Sequence, residues 1–231
     1  MLLILAANPL LFSSLYVLHE LWAGALLALA LAVHRPGHWV LSVVFAALAV
    51  SIRELALPFV FLMAAMALWR RDWREGAAWI ALATSFGVAY CMHLWVLSQQ
   101  VLINDPASAS WLAMGGLASW LTKMILSSPL SVVPTLIASP LVICALAGWA
   151  GVRSAAGSFA ILLLLGYGLA FMIAGRPENF YWGLLLTPIL FMGLAFMPLT
   201  ISSLFRAAKL HEAFLDMVIA CKRHVLQKHL T

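Results

Sequence analysis

The sequence predicts an all-α fold: a polytopic integral membrane helix bundle of six or seven transmembrane helices, including one short hairpin. Three observations lead there. Of the 231 residues, 65% are hydrophobic and only 9% are charged, where a soluble domain carries about 25% charged residues. The apolar residues form continuous runs of Leu, Ala, Val and Phe, without the period-2 alternation over about 10 residues that marks a membrane barrel strand. The basic residues cluster between those runs, as they do in loops retained in the cytoplasm. Loop placement therefore accounts for the net charge of +5. The lipid bilayer is the expected partner and nucleic acid is not.

Residues 2–18 are apolar but broken by Asn8-Pro9 and Ser13-Ser14, which fits a partial helix or a segment at the outer boundary. The opening Met1-Leu2-Leu3-Ile4-Leu5 lacks the positive n-region of a signal peptide. His19 and Glu20 precede the first clear helix, Leu21 to Val33, which ends at the basic loop His34 to His38.

Trp39 to Trp69 is apolar almost throughout, interrupted by Arg53 and Glu54 and flanked by His34, Arg35 and His38 before it and Arg70, Arg71 and Arg74 after it. Both ends should then face one compartment, which a single span cannot do. Two complete spans of about 20 residues do not fit either. The segment predicts a short hairpin turning near Arg53-Glu54-Leu55-Ala56-Leu57-Pro58, each arm of about 15 residues climbing about 22 Å. Backbone at that depth is tolerated only against protein or a water-filled cavity. Adjacent helical residues point about 100° apart, so Arg53 and Glu54 are expected to find separate partners. Such a pair is either a functional site or a structural link between helices, and one long tilted helix is the remaining alternative.

A helix from about Ala77 to Leu97 runs outward, with His93 near its outer end, into the loop Ser98 to Ser110 that holds Asn104-Asp105-Pro106. Trp111 to Leu126 reads as an interfacial or half-buried helix carrying one charge, Lys123. Pro134 to Ala150 returns inward to Arg153, Ser158 to Ala174 goes out, and Trp182 to Leu199 comes back. Residues 1–204 thus form the transmembrane domain and 205–231 a basic cytoplasmic tail. In the tail Leu210, Phe214, Val218, Cys221 and Val225 recur at helical spacing, either as an amphipathic helix on the inner leaflet or as a solvated segment. Cys91, Cys144 and Cys221 have neither metal-type nor CxxC spacing, so no metal site, disulfide or cofactor is expected. No repeat supports an inverted-repeat transporter.

This topology gathers the unusual polar groups on the outer side: His19, Glu20, Arg53, Glu54, His93, Asp105 and the turn Gly175-Arg176-Pro177-Glu178-Asn179-Phe180-Tyr181-Trp182-Gly183. Pro and flanking Gly fix a sharp bend there. Arg176 offers a planar fork suited to phosphate or carboxylate. Tyr181 and Trp182 suit either an interfacial belt or a sugar ring. His19 and His93 suit helix-end hydrogen bonds as well as ligand contacts. Together the residues fit a cavity open to the outside that holds an anionic head group.

At Asn8-Pro9 … His19-Glu20-Leu21-Trp22-Ala23-Gly24, at Ser51-Ile52-Arg53-Glu54-Leu55-Ala56-Leu57-Pro58 with its basic following loop, and at the Gly175–Gly183 turn, the chain resembles the GT-C superfamily. These are polytopic glycosyltransferases that use polyprenyl-phosphate sugars, and the likeness is to the mannosyltransferase-like branch over about Asn8 to Pro198. The resemblance implies donor-phosphate binding by Arg53 and Arg176, an acceptor or sugar pocket including His19, Asn179, Tyr181 and Trp182, and Glu20 or Glu54 as candidate catalytic carboxylates. It implies a multi-pass protein of the bacterial inner (plasma) membrane that transfers, or only binds, a sugar at the non-cytoplasmic face. The superfamily's first helix and acidic outer loop have no counterpart before Asn8, so the expectation is an N-terminally truncated member or else one that has lost catalysis. The alternatives are a non-catalytic membrane subunit and a transporter or flippase for an anionic lipid or solute. The inner halves of the expected helices are nearly bare of polar groups, which weighs against transport.

Overall fold

The structure, a computed structural model, describes residues 15, 17–100 and 109–228, the side chains of 209–228 excepted. Its helices are α1 (His19–Val33), α2 (Val40–Ile52), α3 (Leu57–Trp69), α4 (Trp73–Ser98), α5 (Gly116–Leu126), α6 (Thr135–Ala150), α7 (Ala155–Ile173) and α8 (Thr187–Lys228). Short 3-10 turns occupy Glu54–Ala56, Pro129–Val132 and Pro177–Leu185. Among the described residues there is no strand, only an isolated antiparallel bridge between Leu112 and Ala174.

Among the described residues three helical stretches are long and apolar enough to cross a membrane: Trp73–Ser98, Ala155–Ile173 and Thr187–Ala208. The stretches His19–Val33, Val40–Ile52, Glu54–Trp69 and Thr135–Ala150 are apolar but shorter. At 1.5 Å per residue, α2 and α3 are each about 20 Å long, well short of the roughly 30 Å hydrocarbon layer.

The chain between α1 and α4 turns back where the charge pattern indicates. Arg53 leaves helical geometry at φ −147°, ψ 119°. Pro58 lies in the first turn of α3. It has no N–H for the Glu54 carbonyl four residues back, so a continuous helix is interrupted there, while a first-turn proline costs nothing. α1 and α2 run antiparallel, with the Ser42 hydroxyl donating to the Ala30 carbonyl at 2.8 Å. At one end of the bundle Arg53 meets Glu20. At the opposite end Glu75 receives both His34 and Arg70. The two arms thus start and finish at the Arg70 end and turn at the Arg53 end. They are splayed: α2 packs along α1 and α3 along α4, and the arms touch each other at few points.

The core lies between these pairs and α7. Phe59 sets its ring edge-on to Phe159 at 4.8 Å and to Trp79 at 6.3 Å. α6 and α8 approach at backbone contact, because a Cβ on Gly148 would stand only 1.8 Å from the Gly193 carbonyl oxygen. The Trp149 indole donates to the Ile189 carbonyl at 2.9 Å, and the Thr200 hydroxyl to the Gly148 carbonyl at 2.9 Å.

Two expected helices begin later than the sequence suggests. Trp111 to Gly115 is not helical: Ala113 and Met114 donate to the Ile173 carbonyl, and Gly175 donates to Trp111. The adjacent glycines explain this, since Gly116 takes φ +60° and starts α5 only once the chain has turned. The helix expected from Trp182 starts at Thr187, because Pro177–Leu185 winds as a 3-10 turn and Pro188 suits a first helical turn. α8 then continues without a break across position 204. Its 42 residues make a helix about 63 Å long, twice the hydrocarbon thickness.

Candidate functional site

The Arg53 end carries most of the polar groups singled out in the sequence. Leu18 is extended, so α1 begins at His19 and places Glu20 in its first turn, where a carboxylate favours the positive end of the helix dipole. Glu20 is 3% exposed. Arg53 Nε lies 2.8 Å from Glu20 Oε1, and an Arg53 terminal nitrogen lies 3.6 Å from Glu54 Oε1. The Nε–H is not directed at the Glu20 oxygen, so the contact is an ion pair without a linear hydrogen bond. Arg53 and Glu54 therefore do not go to wholly separate partners as expected. The 100° rule presumes both residues are helical, and Arg53 is extended. The Glu54 side chain is 43% exposed against 4% for Glu20, so the accessible carboxylate is Glu54. His19 is exposed. Leu55 in the turn is held by α7, where the Tyr167 hydroxyl donates to its carbonyl.

The Gly175–Gly183 turn forms the second part of this end. Gly175 at φ +93° makes the bend, with the Trp182 ring 2.8 Å from where a Cβ would stand. Asn179, nearly buried, organises it: its carbonyl oxygen accepts from the Arg176 N–H at 3.1 Å and its amide donates to the Tyr181 hydroxyl at 2.9 Å. The Arg176 guanidinium stacks over Trp111 at 4.4 Å, donates to the Ser110 and Ala109 carbonyls, and stands 4.0 Å from Glu178. Trp182 stacks on Trp111 at 5.7 Å and tilts against Phe171 at 5.9 Å.

α1 and α5 press on this turn from two sides. A Cβ on Gly24 would come within 2.6 Å of the Leu184 carbonyl oxygen, and one on Gly183 within 2.5 Å of the Lys123 carbonyl oxygen. Lys123 on α5 is buried, donating to the Ser119 hydroxyl at 2.6 Å and to the Gly175 carbonyl at 3.3 Å. Burial holds its ammonium below the usual lysine range. The indole N–H groups of Trp120 and Trp182 are buried with no hydrogen-bond acceptor among the described residues.

Of the other expected outer groups, His93 is exposed on the far half of α4, and Asp105 lies outside the described residues. Among the described residues no group of three or more His, Cys, Asp or Glu could hold a metal.

The sequence reading missed a buried carboxylate at the Arg70 end. Glu75, with no exposed side-chain surface, accepts from Arg70 at 2.8 Å and from the Trp79 indole at 3.2 Å, and lies 2.8 Å from His34 Nε2. The signal was present: Asp72-Trp73-Arg74-Glu75 has the spacing of a capping box before an apolar run, and Asp72 does accept from the Glu75 N–H. No family model matches the chain, and neither a curated protein nor a solved structure matches it.

Proposed function

We propose that this chain is a membrane glycosyltransferase-like protein of six or seven membrane helices whose Arg53 end faces away from the cytoplasm and holds a polyprenyl-phosphate sugar. The observation that carries the reading is the Glu20–Arg53–Glu54 cluster at a helix break inside an otherwise apolar bundle. Ionisable groups inside a membrane domain are costly and accompany function more often than they fill space. The basic loops at His34–His38, Arg70–Arg74 and Arg153 lie at the other end, as cytoplasmic loops of a bacterial inner-membrane protein do. Arg53 and Arg176 would offset the phosphate charge, and His19, Asn179, Tyr181 and Trp182 would border the sugar or acceptor. Of the two carboxylates, Glu54 suits proton abstraction better, because Glu20 is buried against Arg53. In the transfer step an acceptor hydroxyl oxygen bonds to the anomeric carbon and its proton passes to Glu54. The sugar–phosphate C–O bond breaks, and the polyprenyl phosphate leaves with the electron pair.

A second reading, a non-catalytic membrane subunit, is favoured by one observation: backbone carbonyls and Trp111 already occupy the Arg176 guanidinium. Binding of a polyprenyl phosphate to the protein in nanodiscs separates the two. The glycosyltransferase reading expects several-fold weaker binding for Arg53→Lys and Arg176→Ala, and a Glu54→Gln variant that binds the donor but does not transfer sugar. Wild-type binding by both arginine variants would leave the subunit reading.

A further inference from the structure

The last turn before α7 and the middle of α8 meet at the Arg70 end, far along the bundle from the site above. Gly151 allows the approach, since a Cβ there would lie 2.3 Å from the Thr200 hydroxyl oxygen. Beside this contact opens a cleft of about 390 Å³, lined by Gly151, Arg153, Leu199, Ser203, Arg206 and Ala207. Two guanidinium groups therefore come from two separate elements to one cavity. Neither is neutralised: among the described side chains no carboxylate stands within 4.0 Å of Arg153 or Arg206. Among the described residues Arg206 bonds only to its own helix, at the Ser202 carbonyl and hydroxyl, both at 3.3 Å. Arg153 is exposed and makes no hydrogen bond among the described residues.

The walls also carry apolar surface. Leu199 is 53% exposed, and Ala207 lies two turns further along the same face of α8. A cavity lined by two guanidinium groups, with no carboxylate beside them among the described side chains and with aliphatic surface on its wall, matches an amphiphile with a phosphate at its polar end. Soluble phosphate esters share the first requirement but not the second.

We propose that this cleft binds the phosphate group of an anionic phospholipid, with Arg153 and Arg206 as its two cationic contacts. The test uses the full chain in nanodiscs containing equal amounts of phosphatidylglycerol and phosphatidylcholine, with retained lipid read by native mass spectrometry. A basic residue near an anionic lipid contributes a factor of about five to binding. The R153Q/R206Q double variant is therefore expected to lose roughly 25-fold of the phosphatidylglycerol enrichment. Ser203→Trp fills the cleft while keeping both charges, and is expected to lose it too. Arg35→Gln removes an exposed loop charge outside the cleft and is expected to keep it.

Three results would overturn the proposal. A loss in R35Q as large as that in R153Q/R206Q would mean a diffuse basic surface rather than a site. Undiminished enrichment in both S203W and the double variant would mean that the cleft is not the locus. Displacement of the retained lipid by glycerol 3-phosphate, with equal retention of the two lipids beforehand, would assign the cleft to a soluble phosphate ester.

Discussion

Replacing Glu75 by alanine should be the most damaging single change at the Arg70 end. The carboxylate has no exposed surface and takes three partners at once: Arg70, the Trp79 indole and His34. Trp79 is fully buried, so its N–H would be left without an acceptor at a cost of about 1–3 kcal/mol. Arg70 is 27% exposed and recovers some hydration, so its charged hydrogen bond counts at the low end, about 1.5 kcal/mol. Together these give about 3 kcal/mol, and for a chain of this length roughly 6–12 °C in melting temperature. Glu75→Gln keeps one acceptor oxygen but sets an amide donor against Arg70 or His34, so it should fall about midway. His34→Ala should cost less than either, because it removes a partner and leaves the carboxylate its other donors. Thermal unfolding in one detergent, followed by tryptophan fluorescence, reads the series. A Glu75→Ala protein melting within about 2 °C of wild type would refute the reasoning, because a buried acceptor of three donors cannot be that cheap to delete.

Other substitutions test other parts of the bundle by the same melting assay. Gly148→Ala forces a methyl group onto the Gly193 carbonyl and should destabilise by at least about 2 kcal/mol, whereas Gly87→Ala, with open space around it, should be neutral or better. Tyr167→Phe removes the hydroxyl that holds the Leu55 carbonyl and should cost about 1 kcal/mol. Arg71 ends α3 at φ +61° with an exposed side chain, so Arg71→Gly should stabilise the protein by about 1 kcal/mol. Lys123 has a lowered pKa when folded, so the unfolded chain binds more protons between that value and 10.5. Wild-type stability should accordingly rise relative to Lys123→Met as the pH is raised through that window, and a flat difference would contradict the buried ammonium.

Charge placement made the helix order and the turn at Arg53 legible in the sequence. Basic residues flanking Trp39–Trp69 on both sides dictate a return to the same end, and Pro58 fixes where the second arm begins. The neighbour of each arm was not legible. α2 lies along α1 through small residues such as Ala46 and Ala49, which are frequent throughout the chain and carry no address. The same gap hid the Glu20–Arg53 contact, since pairing two charges 33 positions apart requires the register of α1 against α2. Arg70 belongs to the basic residues that set topology, and loop charge says nothing about which carboxylate is drawn inward. At the Gly175–Gly183 turn the bend was visible from Pro177 and Gly175. The role of Asn179 as its internal clamp depends on backbone geometry that composition does not show.

The order of Glu20 and Arg53 along the chain bears on how the protein is made. A ribosome delivers Glu20 and the rest of α1 before the arginine emerges, so the counter-charge is already in place when α2 arrives. An unaccompanied arginine at the centre of a spanning helix is penalised by about 2.5–3.5 kcal/mol, and Arg53, at the end of α2, by less. Delivered as an α1–α2 unit, the guanidinium meets its carboxylate during insertion, and the nascent chain avoids carrying a lone cation through oil.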